Sequence, residues 1–188
     1  ETPWERPETR GGTLLPRKAA WFVGRGCRCS YEYNGTRWAA HPMPDWLLEL
    51  EEAVWSKFGT CGDGKTGFPR PNSCVLNLYS DGSEAVDWHA DNEDLFDGLE
   101  QDCRIVSLSL GSSRAFEMKK KRRSMKPGIE PPSVRVDLIA GDIVTMEGRF
   151  QRHWSHRVPK QLDIREPRIN LTWRHITRHD ESCPLHQK

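Results

Sequence analysis

From Cys74 onward the chain is a succession of short segments with a two-residue period: CVLNLY, RIVSLSL, RAFEMK, VRVDLI, DIVTME, HWSHRV and RINLTWRHI. Each is rich in β-branched and apolar residues, and turn signals such as SDGS, LGSS and AGD separate them. No segment with a helical period interrupts the run. Strands joined by such short connections pair with their neighbours antiparallel, so this half predicts a sandwich or barrel. The fold class expected is mainly β (α+β), preceded by a helix-containing N-terminal part.

That N-terminal part reads differently. Residues 1–20 are rich in Pro, Gly, Arg and Glu and predict a loose arm. Residues 21–38 mix aromatics with Gly and Asn and predict a hairpin or an ordered lid. PMPDWLLELEEAVWSKFG predicts a helix with Asp45 as N-cap, an apolar stripe of Trp46, Leu47, Leu50, Val54 and Phe58, and a stop at Gly59. The partition expected is 1–72 for arm, lid and supporting helix, 73–178 for the β core and 179–188 for a tail, all within one structural domain. At 188 residues the chain can bury a real core.

Charge excludes little. The 28 Lys+Arg and 27 Asp+Glu nearly cancel, so any nucleic-acid footprint must be local. No run of 18 apolar residues exists, so no membrane span is expected. Six cysteines are too few for a disulfide scaffold and suit a reducing, intracellular setting, nucleus or cytoplasm. The first residue is Glu1 rather than Met, which leaves open a targeting segment removed upstream.

Two stretches carry chemistry. In VDWHADNED, His89 and Asp91 are two apart at the end of a strand, so an extended backbone puts both on one face. With one further His they would occupy three positions around Fe(II) and leave the rest open. HWSH offers His153 and His156, which a strand points to opposite faces, so at most one joins them. Twelve residues after His156, Arg168 begins RINLTWRHI, where Arg168, Asn170, Thr172 and Arg174 share one face. That face looks either at water, as an antiparallel sheet often does, or into a pocket for an anion.

The strings NLY…VDWHADNE, SLSLGSSRAFEMKKK, MEG…HWSHRVPK and REPRINLTWR resemble the AlkB family of Fe(II)- and 2-oxoglutarate-dependent dioxygenases. They run in family order from Asn77 to Arg174. The resemblance implies a double-stranded β-helix (a jelly-roll, cupin-like core) carrying a nucleotide-recognition lid. It implies Fe(II) held by His89, Asp91 and His156, the last because it directly precedes RVPK. It implies 2-oxoglutarate held by Arg168 at the distal carboxylate, by Arg174 near the metal-chelating carboxylate, and by Asn77, Tyr79 and Asn170. Dioxygen would be the second cosubstrate and ascorbate the reductant in vitro. The implied reaction hydroxylates an N-methyl group of a base such as 1-methyladenine or 3-methylcytosine. The product sheds formaldehyde, and succinate and CO2 are formed alongside.

On the substrate side, YEYNG resembles the family's aromatic hairpin and PRKAAW the segment before it. Tyr31, Tyr33 and Arg17 are therefore expected at the base, and Glu93 at its amino edge. Asn92 departs from the Asp of similar proteins, which weakens the field around a cationic base. RAFEMKKKRRSMK carries seven Lys/Arg against one Glu. Lys119, Lys120 and Lys121 in it either follow phosphates, lie in a solvated loop or form a nuclear import signal. No hydrophobic wedge for opening a duplex is present, so single-stranded DNA or RNA is the expected partner of a monomeric protein. A same-fold dioxygenase hydroxylating a 5-methylpyrimidine, a tRNA modification or a protein side chain is the rival reading. Finally, GRGCRC looks like an insertion. Its Cys27 and Cys29 either join Cys183 and His186 in a zinc site or remain free thiols.

Overall fold

In the computed structural model every strand expected after Cys74 forms. The structure describes residues 1–9, 11–33, 35–58, 69–126 and 128–186, with Phe58 described by its backbone only. Gly59, the expected helix stop, and the side chain of Phe58 lie outside what is described, as does Asn34 of the YEYNG turn.

In chain order the strands are β1 Lys18–Val23, β2 Tyr31–Tyr33, β3 Thr36–Trp38, β4 His41–Pro42, β5 Ser73–Tyr79, β6 Val86–His89, β7 Ile105–Gly111, β8 Arg114–Lys120, β9 Ser133–Leu138, β10 Ile143–Met146, β11 Trp154–Val158 and β12 Arg168–Arg174. The helices are α1 Asp45–Phe58 and the short α2 Phe150–His153. A larger sheet runs β10-β7-β12-β5-β1-β4, a smaller one β6-β11-β8-β9, and β2-β3 form a separate hairpin. Pairing is antiparallel except between β1 and β4.

The larger sheet is buried on both faces. Its outer face, with Ala20, Phe22, Cys74, Leu76, Val106, Leu108, Leu171 and Trp173, packs under Leu47 and Val54 of α1. Its inner face carries Trp21, Val75 and Tyr79, which join Val86, Phe116 and Val158 of the smaller sheet in a second cluster. β12 therefore turns Leu171 and Trp173 to the helix and Arg168, Asn170, Thr172 and Arg174 inward. The polar face of RINLTWR does not look at water.

Three N-terminal expectations change. The supposed loose arm is ordered: Glu5 bridges Ala19, Leu15 is buried and Arg6 pairs with Glu84. Its last residues begin β1, which pairs along its whole length with β5, so residues 1–72 and the β core share one sheet. KAAWFV hides as a strand because every residue after Lys18 is buried, which erases the polar/apolar alternation. In α1 the carbonyl of Pro44, not a group of Asp45, opens the helix by accepting from the Leu47 and Leu48 amides at 2.9 and 3.2 Å. Trp46 lies at the margin of the stripe: it is 45% exposed, yet it meets the Phe22 ring edge-on.

Arg168 owes its position to Gly111, its β7 partner in register. Gly111 has φ +86°, and a Cβ there would run into the Pro167 carbonyl oxygen. Gly111→Ala is expected to cost more than about 2 kcal/mol, since backbone strain and a backbone clash combine. For a chain of this size that lowers Tm by roughly 4 °C or more in a thermal melt; an unchanged Tm would contradict this account of the strand register.

Candidate metal and cosubstrate site

His89 ends β6 and His156 lies mid-β11, where the two are direct cross-strand partners with rings 4.2 Å apart. Asp91 follows two residues beyond β6. Its Oδ1 lies 3.5 Å from His89 Nε2 and 3.7 Å from His156 Nε2. The three ligand atoms lie within 4.8 Å of one another. His89 Nδ1 is 2.8 Å from the Asp87 carbonyl oxygen, which can only accept, so Nδ1 holds the proton and Nε2 offers its lone pair. Burial, and for His156 the neighbouring His89, lowers both imidazole pKa values, His156 to about 3, so both rings are neutral donors. Burial opposes ionisation of Asp91, but the charge and hydrogen bonds of the adjacent Arg174 guanidinium outweigh it and hold the carboxyl below its usual range. Two neutral nitrogens and one carboxylate grouped on one side suit Fe(II) with open positions.

The support around this triad comes partly from Gln151, which no sequence pattern singled out, and partly from Arg174, expected at the cosubstrate. Gln151 of α2 is fully buried and its Oε1 accepts the Asp91 amide at 2.9 Å. Arg174 reaches across from β12, its Nη2 and Nε at 2.5 and 3.1 Å from Asp91 Oδ2. His153 belongs to α2 rather than to a strand, and its Nδ1 meets Ser124 Oγ at 2.9 Å, away from the triad.

Beside the triad is a narrow polar cleft lined by Arg17, Asn77, Tyr79, His89, Asp91, Ser107, His156, Asn170, Thr172 and Arg174. Its free space is about 50 Å³, room for one or two waters, so a bound dicarboxylate must displace side chains. Arg168 stacks against Tyr79, its guanidinium carbon 5.5 Å from the ring centre, and donates to Ser109 Oγ at 2.8 Å. Arg168 Nε and Nη1 and Arg174 Nη1 are buried N–H groups without an acceptor among the described residues. Buried donors of this kind cost free energy unless a ligand satisfies them, and an anionic carboxylate does. The donor set thus fits both Fe(II) and 2-oxoglutarate.

Two expected cosubstrate contacts already have protein partners. Asn77 Oδ1 accepts from Arg17 Nε at 2.6 Å. Asn170 donates to Ser107 Oγ and to the Leu108 carbonyl and accepts from Thr172 Oγ1.

His89 also lines a second, open cleft of about 1010 Å³, together with Tyr33, Glu32, Arg37, Trp88, Asn92, Glu93 and Asp180. The two lid tyrosines part here. Tyr33 is half-buried, edge-on to the His89 ring at 5.6 Å, with Arg17 5.5 Å over its own ring. Tyr31 is a packing residue, not a stacking platform: it is buried against Trp21, Trp38 and Phe96, and its hydroxyl donates to Glu93 Oε1 at 2.6 Å. Both point inward because alternate residues of β2 share the face that meets the core. Burial, then the charge of Asp91, pushes the Glu93 carboxyl up to about 7. Its Oε2 is buried with no partner among the described residues.

Arg17, expected at the base, is 8% exposed and lies in the narrow cleft instead. Nor do the lysines form one loop. Lys119 and Lys120 are strand residues, Lys119 with its Nζ 4.0 Å over the Trp88 ring, while Lys121 donates to the Gln151 carbonyl at 2.7 Å and is no free phosphate ligand. Cys27, Cys29 and Cys183 do converge, but with His179 as their fourth member. The expected His186 instead places Nδ1 2.7 Å from the His179 carbonyl oxygen.

Residues 1–174 match the 2OG-Fe(II) oxygenase superfamily. Alpha-ketoglutarate-dependent dioxygenase alkB homolog 3 of Bos taurus is 36% identical over 184 residues, covering 94% of this chain and 58% of that protein. DNA oxidative demethylase ALKBH2 of Arabidopsis thaliana is 29% identical over 192 residues, covering 92% and 58%. The chain thus spans about half the length of the curated relatives it matches. Among solved structures, OsALKBH1 superposes with a TM-score of 0.61 at 20% identity, over 92% of this chain and 83% of that one. A prolyl hydroxylase from Trichoplax adhaerens gives 0.53 at 14% identity, over 92% and 70%. These two show the shared fold alone. Triad, buried arginines and superfamily match agree: the chain belongs to the 2OG-Fe(II) oxygenase superfamily, and its sequence is similar to AlkB homologues within it.

Proposed function

We propose that the protein is an oxidative demethylase of N-alkylated bases in single-stranded DNA or RNA, dependent on Fe(II) and 2-oxoglutarate, and that it acts as an intracellular monomer. The observation that carries this reading is the position of His89 between two unlike clefts, one narrow and cationic, one open and aromatic-rimmed. His89 thus places the residues that would hold a metal within reach of both a cosubstrate cleft and a target cleft. The relatives named DNA oxidative demethylase support the choice of target class.

Iron with 2-oxoglutarate and O2 supplies the oxidising equivalent for hydroxylating a C–H bond. The chain's own residues do the positioning. His89, Asp91 and His156 would hold the metal, with Gln151 and Arg174 fixing Asp91. Arg168 and Arg174 offer the buried N–H groups for the carboxylates. Tyr33 offers a ring to a base turned out of its stack, and Glu93 Oε2 offers an acceptor to an exocyclic amine. Lys119 and Lys120 line a groove beside Trp88 in which Arg157 and Arg135 are paired with Glu117, and the two lysines suit sequence-independent contact with phosphates.

The test is formaldehyde and succinate release from single-stranded oligonucleotides carrying 1-methyladenine, 3-methylcytosine or N6-methyladenine. Equimolar formaldehyde and succinate are expected from at least one of them. Succinate without formaldehyde from all three would overturn the demethylase reading in favour of another hydroxylation. In the same assay Tyr33→Ala is expected to raise the oligonucleotide KM roughly 5- to 150-fold, the range of one base–aromatic stack, with the 2-oxoglutarate KM unchanged. Tyr31→Ala should chiefly lower Tm.

Arg168→Ala is expected to raise the 2-oxoglutarate KM at least about tenfold while the circular-dichroism spectrum stays native, and Arg168→Lys to restore only part, because the planar fork is lost. A lowered Tm of Arg168→Ala with an unchanged 2-oxoglutarate KM would assign this arginine to packing.

A further inference from the structure

The lid and the C-terminal segment meet at a second cluster of metal-ligating side chains, outside the catalytic triad. Cys27 and Cys29 follow β1 and precede the lid strand β2; His179 and Cys183 follow β12. Their donor atoms lie within 4.8 Å of one another. His179 Nδ1 stands 3.6 Å from Cys27 Sγ, 3.4 Å from Cys29 Sγ and 3.4 Å from Cys183 Sγ, and Cys183 Sγ is 3.9 Å from Cys27 Sγ. A tetrahedral zinc ion with bonds of about 2.3 Å to sulfur and about 2.0 Å to nitrogen requires ligand separations of roughly 3.8 Å between sulfurs and roughly 3.5 Å between sulfur and nitrogen. All four separations fall within a few tenths of an ångström of those values. We propose that Cys27, Cys29, His179 and Cys183 bind a structural zinc ion that clips the lid to the C-terminal segment.

Three further features favour a metal over free thiols or a disulfide. Backbone amides point at the sulfurs: Arg28 N–H to Cys183 Sγ at 3.4 Å, Cys29 N–H to Cys27 Sγ at 3.5 Å and Asp180 N–H to Cys29 Sγ at 3.4 Å. Such donors offset the charge of metal-bound thiolates, which thiols do not carry. The imidazole is close to all three sulfurs, a geometry that a Cys–Cys bond has no use for. The donor set is soft, three sulfurs and one nitrogen with all four corners filled, which selects zinc in a closed site. The His89–Asp91–His156 triad, with two nitrogens and an oxygen, is the opposite case.

The clip has a consequence for the cleft. Cys29 is two residues from Tyr31 and four from Tyr33, and its carbonyl accepts Trp21 Nε1 at 2.8 Å. His179 and Asp180 line the same open cleft as Tyr33 and Glu93. The zinc ion therefore fixes one wall of the proposed base-binding cleft. This consequence rests on the demethylase reading; the presence of zinc does not.

The test measures zinc, not turnover. The His89→Ala/His156→Ala chain, which lacks the catalytic ligands, is expected to carry a full equivalent of zinc by plasma mass spectrometry. Cys183→Ser is expected to lose it and His179→Cys to keep it. Should Cys183→Ser fail to fold, cobalt(II) exchanged into the His89→Ala/His156→Ala chain decides. Thiolate-to-cobalt charge transfer with the intense visible bands of a tetrahedral site is expected, and no nitrogen–oxygen site produces it. A zinc-free His89→Ala/His156→Ala chain, or a disulfide between any two of the three cysteines after thiol trapping, would overturn the proposal. Zinc at full occupancy in a protein that releases no formaldehyde would leave the clip standing and refute the demethylase reading alone.

Discussion

The site depends on keeping one carboxylate ionised inside a β-sandwich. Asp91 is 2% exposed, and a buried unpaired charge of that kind costs several kcal/mol. Arg174 from the larger sheet and the imidazoles of β6 and β11 from the smaller sheet surround it. The contact therefore ties the two sheets together at the place where metal and cosubstrate belong. It also splits the work of the carboxylate: Oδ2 answers Arg174 and Oδ1 faces the histidines. A single ion pair thus sets the ligand's orientation and, through β12, connects the metal to the arginine face.

β12 shows how sequence and structure map onto each other. The alternation of RINLTWR specifies a strand with one apolar face, and the alternative destinations of its polar face differ only in what lies opposite. The sequence distance between His89 and Arg174 conceals that opposition, since only the closing of the two sheets brings them together. For the same reason Gln151 is silent in the sequence: a glutamine in a four-residue helix has no periodic signature, yet it holds the Asp91 amide. β1 was illegible for another reason. A strand buried on both faces carries no alternation, and its Pro- and Arg-rich approach resembles a loose arm. The lid tyrosines were legible as a pair on one face, but not in depth. Tyr31 sits at the core side of the hairpin under Trp21 and Trp38, Tyr33 at the side facing the triad.

The same logic explains the tail. HxxxC around His179 and Cys183 is unremarkable in a linear reading, and His186 competes for the same role. The turn after β12 decides between them, because the Asp180 carbonyl accepts the Cys183 amide at 2.8 Å and folds Cys183 back towards His179. The chain thus carries two donor clusters of different chemistry among its described residues: a triad of two imidazoles and a carboxylate, and a group of three cysteines and a histidine.

The triad and the arginine face form one site for metal and cosubstrate together. Anaerobic titration of the protein with Fe(II) and 2-oxoglutarate, followed by visible absorption, tests it most directly. Chelation of iron by the keto acid in the site predicts a charge-transfer band that needs both components and vanishes in His156→Ala. Saturating additions that produce no band in the wild-type chain would contradict the account.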